Sequence, residues 1–527
     1  MTTSHFQIPA KLAGQYFKLS HILQFIIWLG LILSIKFDTI LAPPVWDTAM
    51  GVFPPAIFLY ETKFDLLELA KQPGWWLGGP NVHTFSIWTW LIAMVMSISD
   101  SPTITFAILH VITFMVNATA ISVLVRTLYQ YGVSSHLALM SGLLLLLMPL
   151  VLVQIGFMYT ESLVMSLSVL AWASWHNNRE GAAVLFALIA IGMKLTGVVI
   201  AVCLALLLLL RLLNGFSYRR LLYLTSLPLA LFIIISAYSW SGTLSPPHGM
   251  SWGSQQAIFS QLRWRLSSTP EITIFIYISA LAAFCYVIFQ WRLGPDTNPF
   301  RLLCQGNTEI GSRFIVLIYT PIFGIGIIVM SIAGMLFLPR YAVPMIPFAI
   351  VQLVLLAQVI KFQRGLSFIF FIGCLVSIYN HSGVLYKPTT AFSIVEASHA
   401  YKPYLLAQKT IIDEIEKLGN DVPIYVSREI DYMTAHPMTG YVTEIKPNIN
   451  GIYKPQYAGL SVEEFPSEFY VVFTNRGHGG EYLKKIIKQA DRLETWRVDK
   501  IYEQNIGGYN MYISRVFNVD KADQAPG

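Results

Sequence analysis

Residues 187–212 read "ALIAIGMKLTGVVIAVCLALLLLLRL". Almost every side chain is apolar, and one cation, Lys194, stands between Gly192 and Gly197. Such a stretch offers no polar face to water, and its length suits a hydrocarbon core about 30 Å thick. Similar runs of roughly 18 residues recur from about residue 20 to about residue 385. The 527-residue chain is 55% hydrophobic and 12% charged, with a mean hydropathy of +0.57. A soluble protein carries about 25% charged residues, so a soluble globular fold is excluded. The 13 Trp and 26 Tyr suit interfacial belts.

The net charge of +6 is modest, and the Lys and Arg residues fall in short loops between apolar runs. They read as topology signals and predict no nucleic-acid partner. Cys203, Cys285, Cys304 and Cys374 have no metal-ligand spacing, and the polar C-terminal part has no Cys for disulfides. Lys11 and Lys18 precede the first run, near Ile22–Ile35, and no small-residue cleavage site follows it, so an uncleaved anchor is expected.

Length and apolarity place spans near 20–36, 102–126, 137–157, 160–176, 181–193, 196–212, 221–239, 271–290, 314–337, 342–360 and 366–385. That makes about eleven, with 181–212 alternatively one helix broken around Lys194. With the N-terminus inside, the inner loops hold Arg126, Arg179, Arg211, Arg219, Arg220, Arg292, Arg301, Arg313, Lys361 and Arg364. The outer side then receives the 37–101 loop, the Tyr159–Thr160 turn, the Lys194 turn, the 240–270 loop, the Pro339–Arg340 turn and everything after about 386. "FSIWTWLIAMVMSI", 85–98, is short for a span. Counting it would turn the basic loops outward, so it is expected to lie in the outer interface. "ETKFDLLELA", 61–70, reads as a second amphipathic surface helix.

After residue 390 the composition turns polar. "AQKTIIDEIEKLG" and "EYLKKIIKQA" have helical spacing, while "VPIYVS", "FYVVFT" and "YNMYISRVF" are β-type runs. The expected organisation is a transmembrane domain over 1–389 and a small extracytoplasmic α/β domain over 390–527.

Ionisable residues at membrane depth are costly and point to function. Asp47, His83, Glu161, Lys194 and Arg340 all emerge on the outer side. Asp47, in "LAPPVWDTAMGVFPP", suits a general base toward an acceptor hydroxyl, or a turn Asp. Lys194 suits a phosphate, or a snorkelling cation. Arg340, in "LFLPRYAVPMIPFAI", could fork onto phosphate at a proline-broken helix, or anchor the interface with Tyr341. Glu161 could orient substrate or a metal, or favour the helix N-terminus. His83 could bind substrate or be a loop residue, and Arg263 and Arg265 could grip a polar headgroup or form an exposed basic face. "NRGHGG", 475–480, reads as a turn, and no Walker A, HExxH, GxSxG or zinc pattern is present.

The order "WDTAMG", "GPNVHTFS", "YTESLVMSLSVLAW", "GMKLTG" and "RYAVPMIP" resembles the GT-C class of membrane glycosyltransferases. The likeness is to the branch holding protein O-mannosyltransferases and the lipid A aminoarabinose transferase. It implies a sugar moved with inversion from a polyprenyl-phosphate donor to a hydroxyl of a glycan, glycolipid or protein, outside a plasma (inner) membrane. By the likeness Asp47 is the base and Lys194 and Arg340 hold the lipid phosphate; His83, Glu161, Tyr341, Arg263 and Arg265 are the substrate-contact candidates from the residues themselves. The branch's His-Pro-Pro-Leu element is altered here, with Thr84 and Phe85 after His83. A second loop acid used for a metal by some relatives has no clear counterpart. No cofactor is therefore assigned, and a divalent metal stays open. A transporter or flippase for a lipid-linked sugar, and a membrane-anchored assembly protein, are the rival readings.

Overall fold

The computed structural model describes Tyr16 and residues 19–45, 48–65, 67–68, 85–240, 278–288, 307–332, 339–380, 401–452, 457, 460–475 and 480–522. Of the candidate site residues, Asp47, His83, Arg263 and Arg265 lie outside these, as do Lys11, Lys18, Thr84, Arg292, Arg301 and Cys304. The chain divides into two compact units. One comprises 1–40, 81–90 and 108–399, and the other 41–80, 91–107 and 400–527.

The first unit is helical. Among the described residues six helices are long and apolar enough to cross a membrane, or seven if the bent pair Ser135–Leu147 and Pro149–Gly156 is one span. Ile87–Ile98, Glu180–Met193, Ile278–Ile288 and Gln363–Tyr379 are shorter apolar helices. The protein is thus a polytopic membrane protein. The stretch expected as one span over 137–157 bends by 60°. Pro149 has no N–H to donate, and it holds Met148 extended at φ −57°, ψ 123°. The stretch over 181–212 is two packed helices, Glu180–Met193 and Val198–Asn214, parted at Lys194 and a 3-10 turn over Leu195–Gly197.

Trp172 and Trp175, both on Thr160–His176, are buried in the core of this unit, where Tyr319 stacks on Phe348 with ring centroids 3.9 Å apart. Apolar packing alone gives little preference among helix partners in lipid, so polar links matter. Gln352 Nε2 donates to Val316 O at 2.7 Å and Thr320 Oγ1 at 3.0 Å, tying Ile346–Val359 to Thr308–Ile332. Ser166 Oγ bonds Asn117 Oδ1 at 3.0 Å, tying Thr160–His176 to Pro102–Gln130.

The second unit carries a five-stranded sheet in the order β2-β1-β3-β5-β4. The strands are β1 (Ile424–Val426), β2 (Ile449–Gly451), β3 (Glu468–Thr474), β4 (Trp496–Ile506) and β5 (Tyr509–Asn518). β1 pairs parallel with β2 and β3, while β5 pairs antiparallel with β3 and β4. Helices Tyr401–Glu416 and Gly480–Ala490 flank it, and Tyr425, Phe465, Phe469 and Trp496 fill its aromatic core. β2 and β4 were not expected: β2 has three residues, and β4 is a largely exposed edge strand bearing Arg497, Asp499, Lys500 and Glu503.

Residues of the first long loop belong to this same unit. Helix Phe53–Glu61 opens with Pro54 and Pro55 in its first turn, where a missing N–H costs no bond. It ends at Glu61, and Lys63 (φ 51°) and Phe64 (φ 63°) are left-handed, so the helix expected over 61–70 does not start at 61, although residues 67–68 are helical. Tyr441 Oη donates to Pro44 O at 2.9 Å, and Tyr60 Oη donates to Asp100 Oδ1 at 2.7 Å.

Gly440 has φ +78°, and a Cβ there would stand 2.5 Å from the Phe106 ring. Gly440→Ala is expected to destabilise this unit by about 1–2 kcal/mol from the backbone alone, and by more once Phe106 must shift. Thermal denaturation of the purified chain, followed by proteolysis within 400–527, measures the loss.

Candidate functional site

The site forms where three helix ends of the first unit meet. The first is the start of Thr160–His176, placing Glu161 in its opening turn. Met158 just before it is left-handed at φ 57°, and Tyr159 is extended. That sharp entry brings a carboxylate into the protein interior at a helix N-terminus, where negative charge is favoured.

The second is the break at Lys194. The helix Glu180–Met193 stops there, with Lys194 extended at φ −163°, ψ 150°. Gly197 explains the closeness of the return: a Cβ on it would lie 2.3 Å from the backbone of Ala190. Ser86 Oγ donates to Met193 O at 2.8 Å, satisfying a carbonyl that the ended helix leaves open. The third is the 3-10 turn Pro339–Met345, which runs into Ile346–Val359 with Pro347 in its first turn.

These three ends deliver one cluster. Lys194 Nζ lies 2.6 Å from Glu161 Oε1, and Arg340 Nε donates to the same oxygen at 2.9 Å. Thr160 Oγ1 donates to Glu161 Oε2 at 3.1 Å. The ammonium of Lys194 sits 4.5 Å from the centre of the Tyr341 ring. The Arg340 guanidinium lies 5.3 Å from the rings of both Tyr159 and Tyr341. Glu161 and Arg340 are sealed in, at 0% and 1% exposure, whereas Lys194 keeps 13%. A ligand would therefore meet the Lys194 ammonium first. Arg340 is not an interfacial anchor; its charge is inside the protein.

Of the residues expected to act together, Glu161, Lys194, Arg340 and Tyr341 are brought into contact. The sequence reading missed the ring of Tyr159 and the fully buried Lys36 at the end of helix His21–Lys36. Lys36 packs on Gly156, where a Cβ would come within 3.0 Å of its Nζ; Gly156 O in turn bonds His110 Nε2 at 3.1 Å. A charged residue closing an apolar run was the available signal for Lys36. Among the described residues no group of three or more His, Cys, Asp or Glu gathers as a metal site.

No protein-family model matches the chain, and no curated protein matches it in sequence. Its fold is similar to that of ArnT from Cupriavidus metallidurans bound to undecaprenyl phosphate. That match has a TM-score of 0.51 and 13% identity and covers 93% of this chain and 97% of that one. The apo state of the same ArnT is matched with a TM-score of 0.40 and 11% identity over the same shares. The first of these matches shows that the chain shares the fold of that ArnT.

Replacing the acid by its amide leaves two buried cations without their carboxylate. Glu161→Gln is expected to lower stability by about 3–5 kcal/mol, as for other broken buried pairs, read as a fall in thermal midpoint of the purified protein. Gly197→Ala should also reduce stability by pushing the Lys194 turn away from Ala190, with Gly192→Ala, which meets only the flexible Ile87 side chain, affecting it less.

Proposed function

We propose that the chain is a membrane glycosyltransferase. It moves a sugar from a polyprenyl-phosphate donor to a hydroxyl of a glycan, glycolipid or protein at the outer face of the membrane. The observation that carries this reading is the convergence of Lys194 and Arg340, from distant helices, on one buried oxygen of Glu161. The fold shared with an ArnT that binds undecaprenyl phosphate supports the same class of donor.

The chemistry follows from charge. As the glycosidic bond breaks, negative charge grows on the departing phosphate. Fixed cations in a low-dielectric site stabilise it without having to reorganise. Lys194 supplies a point charge at the accessible side, and Arg340 a planar fork held against aromatic faces. In the resting protein Glu161 occupies both cations. It keeps them in place, and an arriving phosphate shares them. Asp47 acts as general base on the acceptor hydroxyl, attack comes from the face opposite the phosphate, and the anomeric configuration inverts. The other substrate contacts are assigned to His83, Arg263, Arg265 and Tyr341. The topology consistent with this scheme keeps the eleven spans, a cytoplasmic N-terminus and an extracytoplasmic sheet in the inner membrane.

The test is release of polyprenyl phosphate from polyprenyl-phosphate sugars by the purified protein, with acceptor present. Lys194→Met and Arg340→Met should each slow turnover by about 10²–10³-fold, and Asp47→Asn by about 10²–10⁴-fold. A transporter would release no lipid phosphate, and an assembly protein would be indifferent to Asp47→Asn. Either result would overturn the proposal.

A further inference from the structure

We propose that a cleft inside the sheet-bearing unit binds one glycosyl ring that carries no negative charge, as a recognition subsite for the acceptor. Only the word "acceptor" rests on the transferase reading above; the binding itself does not.

The cleft has a volume of about 340 Å³ and lies between helix Phe53–Glu61 and the segment from Asp431 to Ile449. That is at the low end of the roughly 300–1,000 Å³ typical of small-ligand pockets. The helix side is apolar, formed by Pro54, Ile57 and Phe58. The other lining groups include Glu61 on that helix and Asp431, Thr434, His436 and Thr439 on the segment across from it. Glu61 ties the two walls together, its Oε1 lying 2.9 Å from His436 Nε2.

The hydrogen-bond inventory decides the ligand's chemistry. His436 Nδ1 accepts from the backbone N–H of Met438 at 3.0 Å, so the ring proton sits on Nε2, toward Glu61. Thr434 Oγ1 donates to Ile430 O at 2.8 Å, and Thr439 Oγ1 donates to Met433 O at 2.7 Å. Their hydroxyl oxygens can then only accept from a ligand. Lys446, the one Lys on the lining, turns its ammonium to Ile415 O, Glu416 O and Leu418 O at 3.1, 3.0 and 2.5 Å. Its three protons cap the end of helix Tyr401–Glu416. The cleft therefore offers the Glu61 carboxylate and two hydroxyl acceptors, with the Lys446 protons committed to backbone carbonyls.

Such a lining repels phosphate, sulfate and uronate groups. It suits a ring with several O–H or N–H donors along its edge and a C–H face to lie on Phe58. A pyranose has that form. A bound peptide strand would need a sheet edge, and the edge strand beside the cleft, β2, has three residues. The donor's phosphate cannot be the occupant, because like charges would face each other.

The experiment is saturation-transfer NMR with calorimetry on the full-length protein in nanodiscs. The probes are a neutral methyl hexopyranoside, the 2-amino methyl glycoside and the methyl glycoside of the corresponding uronic acid. The neutral and amino glycosides should bind saturably and the uronate at least about tenfold more weakly, a difference of roughly 1.4 kcal/mol. Phe58→Ala should weaken the neutral glycoside by up to about tenfold through loss of its aromatic face. Glu61→Gln should narrow the gap between neutral and anionic rings. Equal or tighter uronate binding, an unaltered Kd in Phe58→Ala, or no saturable glycoside binding at all would overturn the inference. Donor cleavage by the wild-type protein is measured in parallel. Cleavage without glycoside binding removes only the subsite, whereas binding without cleavage removes only the transferase reading.

Discussion

Burying one carboxylate in the apolar interior of a membrane protein is costly unless opposite charge lies against it. Glu161 meets that demand with Lys194 and Arg340 on a single oxygen and a threonine hydroxyl on the other. The three residues come from helices far apart in sequence, so their meeting fixes how those helices pack. The pair of cations is held by the same contact that lets the acid be buried. Structure and chemistry share one electrostatic constraint here: neither cation can be aimed elsewhere without stranding the carboxylate.

The positions of the charges follow from interruptions of helix. Each charged residue sits where regular hydrogen bonding has just stopped or is about to begin. Lys194 follows the last turn of one helix, Glu161 opens another, and Arg340 lies in a 3-10 turn before a third. Backbone groups left open at such ends are polar, which makes an ion less foreign there than in mid-helix. Gly197 allows the tight return after Lys194, and prolines surround Arg340. The site is therefore built from breaks in an otherwise continuous apolar framework.

How much of this could be read from the amino acids differs between the parts. Apolar length carries the helices almost alone, so Thr160–His176 and Glu180–Met193 stand where the runs place them. Lys194, Glu161 and Arg340 stand out because charge is rare in those runs. Their mutual contact does not, since it depends on packing between distant segments. The 60° bend before Pro149 was written in the sequence but masked by the uniform leucines around it. β4 is hidden for the opposite reason: its charged residues resemble a loop, and pairing with β5 makes it a strand. The cleft residues Glu61 and His436 carry no local signal that links them.

The sheet-bearing unit gathers residues 41–80, 91–107 and 400–527. Its early pieces leave the ribosome long before its strands exist. Phe53, Phe106 and the Pro44 carbonyl must wait for Gly440 and Tyr441 to be translated. Until then the early loop has no folded home and is open to proteases and to aggregation. Truncating the chain near residue 400 would thus damage its beginning as well as its end, and the sheet expressed alone would lack part of its own interior.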